Sequence, residues 1–260
     1  MSGNKSRTLV LQPRDKQFLA QLGVLRVVNR EQAKLVAGFH STTRANARLL
    51  ALTRAGFLKK LKITLADGAA LYTLTKAGAS LTSASEHGLH QQVLSSPVGA
   101  LFLEHQLAIN SIFLLLKYRP LPAAGYVFER GLAFSAPLSP SAGIIPDGYF
   151  EIRHDDVLRP MFLEVDLGTE GLKDWRRKIE GYLSFALSGD FSRTFGHQQF
   201  RVLVITDSDR RLNSIRSEIV IRTEKIFWLT TLDAINRDGF WSPIWLRPDG
   251  DKKQPLLGSL

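Results

Sequence analysis

One stretch constrains this chain more than any other: PDGYFEIRHDDVLRPMFLEVD, residues 146–166. Two apolar, β-rich runs flank a polar His154-Asp155-Asp156, the pattern of two strands joined by a tight turn. A turn centred between Asp155 and Asp156 sets Arg153 opposite Leu158 and Asp147 opposite Glu164. Directly opposed residues hold their Cβ atoms about 5 Å apart, so two carboxylates meet at one strand end. Asp166 lies two residues beyond Glu164 and points to the same face. Three carboxylates repel one another unless a cation compensates them. At carboxylate-lined sites that cation is usually Mg²⁺, with Mn²⁺ as its substitute. A slip of one residue would turn one set of side chains to the other face.

The expected elements around this hairpin are a helix over residues 100–118, a strand near 125–130, and a helix over 172–187. A strand at 200–206, a helix at 210–221 and a last strand at 227–232 follow. The order αβββαβ with an αβ extension predicts a mixed α/β domain over residues 100–246. In the helix after Glu164-Val165-Asp166, Leu172, Trp175, Ile179, Tyr182 and Ala186 form the expected buried stripe. Lys178 sits about 60° from the centre of that stripe at 100° per residue, so it is the cation best placed to reach the strand ends. The same position equally suits a lysine that snorkels from the edge of a core face.

Charge divides the chain in two. Residues 1–82 carry 14 Lys and Arg against 3 Asp and Glu, while residues 83–260 carry 20 against 21. A net +11 confined to the first third marks a polyanion-binding module joined to a near-neutral one. Three short helices are expected there: one opening at Pro13, a second capped by Asn29, and a third capped by Ser41. In the third, Ala45, Leu49 and Leu52 share one face, whereas Arg44 and Arg48 lie with Ala47 and Ala51 on another. Small residues beside arginines let a helix approach a DNA groove closely. Arg54 ends that helix, and a hairpin with outward Lys59, Lys60 and Lys62 follows it. Three helices and a hairpin predict a winged helix-turn-helix over residues 1–82 that binds double-stranded DNA. Residues 83–99 read as a polar linker and 247–260 as a disordered tail.

The string LTRAGFLKK…LYTLTKAG resembles the recognition helix and wing of winged-helix proteins. The second domain resembles the restriction-endonuclease-like PD-(D/E)xK fold. In that fold a Pro-Asp and an acid-x-lysine bind Mg²⁺ and activate water against a phosphodiester. Pro146-Asp147 and Glu164 match the pattern, but Asp166 stands where it wants lysine, a part that Lys178 would take from the following helix. A closer resemblance spans most of the chain. The winged helix ending in LTKAG, then His105-x-Leu107-x-x-Asn110, Pro-Asp, FLEVDLGTE and Lys178-x-x-x-Tyr182 are similar to the replication-relaxation family, itself similar to MobC-type plasmid relaxases. That resemblance implies replication or mobilisation of a plasmid or other mobile element, acting at a replication or transfer origin. Catalysis would fall to Asp147, Glu164, Asp166 and Lys178, with Mg²⁺ or Mn²⁺ on the three acids. The alternative is a non-catalytic initiator or transcriptional regulator whose inactive nuclease-like domain serves dimerisation.

Other chemistries find no support. No phosphate-loop, dinucleotide or G-x-S-x-G motif is present, and the six histidines are scattered. The chain has no cysteine, so disulfides and thiolate metal sites are excluded. With no apolar leader or uninterrupted span, the expectation is a cytoplasmic protein with no membrane contact. Its expected partners are DNA, a second copy of itself, and replication or mobilisation proteins.

Overall fold

The computed structural model describes residues 9–62, 68–82, 99–122, 125–139 and 143–257. The chain is mixed α/β with two sheets, as expected, and it divides into two compact units, Met1–Arg119 and Pro120–Leu260.

In the first unit, α1 (Pro13–Leu25) opens with proline at a position that needs no hydrogen-bond donor. The Asp15 carboxylate accepts from the Gln12 N–H at 2.6 Å. The Asn29 side chain caps α2 (Arg30–Ala37) by accepting from the Gln32 N–H at 2.9 Å, and Ser41 caps α3 (Thr42–Arg54). Strands β1 (Val28–Asn29), β2 (Leu58–Lys60) and β3 (Leu71–Leu74) form an antiparallel sheet in the order β1-β3-β2. A single turn, α4 (Lys76–Ala79), follows β3. Phe18, Leu19, Leu22, Val36, Leu49, Leu52 and Leu74 are among the residues of its core. The expected wing reaches into residues 63–67, outside the described residues.

Helix α5 (Ala100–Tyr118) corrects the expected domain boundary. The sequence reading opens the second domain at residue 100, yet the first unit runs to Arg119. The reason is chemical. Asn110 Nδ2 donates to the carbonyls of Leu25 (3.0 Å) and Val27 (2.6 Å), and Gln32 Nε2 donates to that of Leu107 (2.9 Å). The last carbonyls of a helix have no partner within it; at the end of α1 the Leu25 carbonyl accepts from the Val27 N–H at 2.7 Å and from Asn110 as a second donor. Leu103 and Leu107 pack with Val27 and Leu71, and Leu114 joins the core above. Among the described residues α5 alone has the length and hydropathy of a membrane span. Of the expected linker, residues 83–98 lie outside the described residues.

The second unit is built on a five-stranded sheet in the order β4-β5-β6-β7-β8. Strands β4 (Tyr126–Leu132), β5 (Gly148–His154) and β6 (Val157–Asp166) run antiparallel; β6, β7 (Arg201–Thr206) and β8 (Phe227–Thr231) run parallel. Parallel neighbours need crossover helices. These are α6 (Leu172–Leu187), with the short α7 (Asp190–Phe195) after it, and α8 (Asp209–Val220). A short helix, α9 (Leu232–Asp238), follows β8. Phe162, Val202, Val204 and Leu229 form one core with Trp175, Ile179, Tyr182 and Phe185 of α6 and with Leu212 and Ile215 of α8. On α6 the buried stripe ends in Phe185; Ala186 is exposed. The expected disordered tail is also corrected. Trp245 and Gln254 exchange backbone hydrogen bonds and Leu256 is fully buried, so a Leu256-Leu257 pair anchors residues that polar composition marks as loose.

Candidate functional site

The β5–β6 hairpin has the register read from the sequence. Arg153 pairs with Leu158 and Gly148 with Leu163, around a turn at Asp155-Asp156. Asp155 takes a positive φ of 51° there, a conformation aspartate tolerates better than most residues. Beyond the last ladder pair, the Asp147 N–H donates to the Leu163 carbonyl at 3.1 Å. The Asp147 Oδ2 accepts from the Val165 N–H at 2.7 Å. Asp147 is thereby pinned beside Glu164.

Glu164 is fully buried beneath α6. Its Oε1 accepts from the Tyr182 hydroxyl at 2.5 Å and its Oε2 from Lys178 Nζ at 2.8 Å. Lys178 Nζ also donates to Glu170 Oε1 at 2.8 Å and lies 5.3 Å from the centre of the Trp175 ring. Three carboxylates, from Asp147, Glu164 and Glu170, therefore act on one ammonium. Burial pushes the Glu164 carboxyl up to about 7; Lys178 opposes that push, and the Asp147 charge adds to it. Burial works against the charge of Lys178 too, but Glu164, Asp147 and Glu170 outweigh it and raise its pKa. The cluster holds more negative charge than its lysine cancels.

Asp166 is on the expected face but belongs to a different group. Arg211 grips it bidentately, Nε to Oδ1 at 2.9 Å and Nη2 to Oδ2 at 2.7 Å. The Trp175 indole N–H and the Gly168 N–H complete its partners. Burial alone would raise its pKa; these donors hold it below the usual carboxylate range. Its charge is already cancelled, so the expected trio of acids is a pair, Asp147 and Glu164, with Glu170 nearby. Arg211 comes 45 residues after Asp166, and no local pattern joins them. Glu170 and Tyr182 were the legible omissions: Tyr182 stands one helical turn from Lys178, and Glu170 follows the same E-V-D run.

Hard carboxylate oxygens suit Mg²⁺ or Mn²⁺, which bind through one or two carboxylates and keep several waters. The buried Glu170 Oε2 has no hydrogen-bond partner among the described residues, and the excess negative charge favours a cation. Both Glu164 oxygens and the Asp147 Oδ2 already accept hydrogen bonds. Among the described residues, no three His, Cys, Asp or Glu side chains stand together as a closed metal site.

In the first unit, Arg44, Arg54, Lys59, Lys60 and Lys62 are exposed. Arg48 is not free to reach a base edge: its guanidinium binds the buried Asp15 carboxylate and the Val10 carbonyl. It fastens α3 to α1, and Arg44 alone of the expected pair faces outward.

The sequence model for replication-relaxation matches residues 19–199, a stretch that includes Asp147, Glu164, Asp166 and Lys178. No curated protein and no solved structure matches the chain.

Proposed function

The chain belongs to the replication-relaxation family, and on that premise we propose that it binds the DNA of a plasmid or other mobile element and nicks or relaxes it by phosphodiester hydrolysis. The first unit, read as a winged helix, provides affinity through phosphate contacts at Lys59, Lys60, Lys62 and Arg54, and Arg44 approaches base edges. The second unit, read as a restriction-endonuclease-like domain, provides the chemistry.

One observation carries this reading: Lys178 Nζ stands 2.8 Å from Glu164, on the strand end where Asp147 is pinned alongside. The lysine absent at position 166 is supplied from α6. Asp147 and Glu164 would hold Mg²⁺, which when bound supplies Lewis acidity and a water of lowered pKa. Lys178 places positive charge where negative charge develops on the phosphoryl oxygens. Tyr182 fixes Glu164 in one orientation, and the neutralised Asp166–Arg211 pair serves as scaffold. Incubation of supercoiled plasmid with the protein and Mg²⁺ or Mn²⁺ is expected to yield nicked circles, and Asp147→Ala to yield none. Full activity in Asp147→Ala would overturn the mechanism.

A second reading has its own support. Both oxygens of the fully buried Glu164 are already hydrogen-bonded, as in a structural ion pair. In that case the protein is an initiator or regulator, and it binds DNA in a salt-sensitive way without cleavage under either metal.

A further inference from the structure

Strands β7 and β8 begin at a cavity of about 430 Å³, at the opposite end of the parallel strands from Glu164 and Asp166. Gln198, Phe200, Arg201, Lys225, Trp228 and Arg247 line it, three cations and no carboxylate. The Arg201 and Arg247 guanidiniums each lie 4.7 Å from the centre of a Trp228 ring. Among the described residues none of these three cations is in an ion pair. Arg201 donates to the Leu256 carbonyl, and Arg247 to the carbonyls of Phe227, Glu224 and Lys225. Carbonyls orient a guanidinium without cancelling its charge. Arg201 is pushed down to about 10, first by burial and then by the charges of Arg159 and Arg247. Arg159 itself keeps a buried Nη1 with no hydrogen-bond partner. Asp249 offsets part of the charge at Arg247. Several other arginines of this unit pair with carboxylates, as Arg211 does with Asp166 and Arg176 with Glu218. Here three cations line one cavity with no carboxylate among the lining residues, and Asp249 offsets only part of the charge at Arg247.

We propose that this cavity binds phosphate groups. The guanidinium fork matches phosphate oxygens two at a time, Lys225 adds an exposed point charge, and Trp228, with both guanidiniums over its ring, reports on any anion that they bind. The site does not depend on the acid cluster, and Asp147→Ala leaves every lining residue in place.

All four tryptophans lie at positions 175–245, so tryptophan emission, excited at wavelengths where tyrosine does not absorb, comes from the second unit alone. The full-length protein is titrated with sodium pyrophosphate and, separately, with a short oligothymidylate. Either probe should give a saturable change in emission that Trp228→Phe largely removes. Lys225→Glu, at an exposed position, should weaken affinity about tenfold and flatten its dependence on salt. Arg201→Gln should abolish binding, and Lys225→Glu carries the test if that variant does not fold. Tighter binding of oligothymidylate identifies a polynucleotide as the source of phosphate; tighter pyrophosphate identifies a small phosphate compound. No change with either probe, or equal affinity in wild type and Lys225→Glu, overturns the proposal. Asp147→Ala should titrate like the wild type, which separates failure of this site from failure of the hydrolytic reading.

Discussion

Replacing Lys178 by methionine keeps most of the side-chain volume and removes the one ammonium that, among the described residues, pairs with Glu164. The Glu164 side chain is 1 % exposed and that of Lys178 18 %, so water replaces little of the lost interaction. Glu164 would be left with the Tyr182 hydroxyl and the Asp147 charge, beside a core of Phe162, Trp175, Ile179 and Val204. Breaking a buried ion pair by removing one partner costs about 3–5 kcal/mol. For a unit the size of Pro120–Leu260, each kcal/mol moves the melting midpoint by about 4 °C, so the expected fall is about 10–20 °C. Adding Glu164→Gln to Lys178→Met removes the stranded charge and should recover at least half of that loss. Thermal unfolding at about pH 8.5, above the value of about 7 to which Glu164 is pushed, is followed by tryptophan emission and measures both variants in the unit that contains the pair. A Lys178→Met midpoint within about 2 °C of wild type, with no gain in the double variant, would refute the claim that the pair is ionised and mutually dependent.

Two further outcomes concern the first unit. Burial works to raise the Asp15 pKa, but Arg48 and the Gln12 N–H overcome it and hold the value below 3.8. A depressed carboxylate stabilises fully above its unfolded value and loses that contribution as pH falls through its folded value. Asp15→Asn should therefore cost about 2–3 kcal/mol at neutral pH and progressively less as the pH is taken below the ordinary carboxylate range, read from circular dichroism melts at falling pH. Gly78 lies in α4, and a Cβ there would sit 2.1 Å from the Phe57 carbonyl oxygen. Despite alanine's better helix propensity, Gly78→Ala should destabilise by about 1–3 kcal/mol, seen as a lower urea midpoint.

The features that were legible in the sequence are the local ones. Alternation and the Asp155-Asp156 turn determine the register of β5 and β6, and that register sets Asp147 beside Glu164. Helical spacing brings Lys178 and Tyr182 onto the flank of α6 that overlooks the same strand end. What stayed hidden depends on partners far away along the chain. Asp166 reads as a metal ligand until Arg211 appears, and Arg48 reads as a DNA contact until α1 delivers Asp15. In both cases an exposed-looking charge is consumed by one of opposite sign, which a helical wheel of a single element cannot reveal. The anchoring Leu256-Leu257 was masked by the polar residues around it.

The packing of α5 bears on how the basic first unit can be isolated. A piece cut at residue 82, where the sequence pattern ends, would strip Leu103, Leu107 and Leu114 from the surfaces of Val27, Leu71 and the main core. Each fully buried leucine contributes about 2 kcal/mol, so the loss rivals the whole stability of a domain this small. The cut would also uncover a greasy strip beside the carbonyls of Leu25 and Val27, an invitation to self-association rather than to DNA. The natural excision point is after Arg119, where the helix that closes the basic unit is complete.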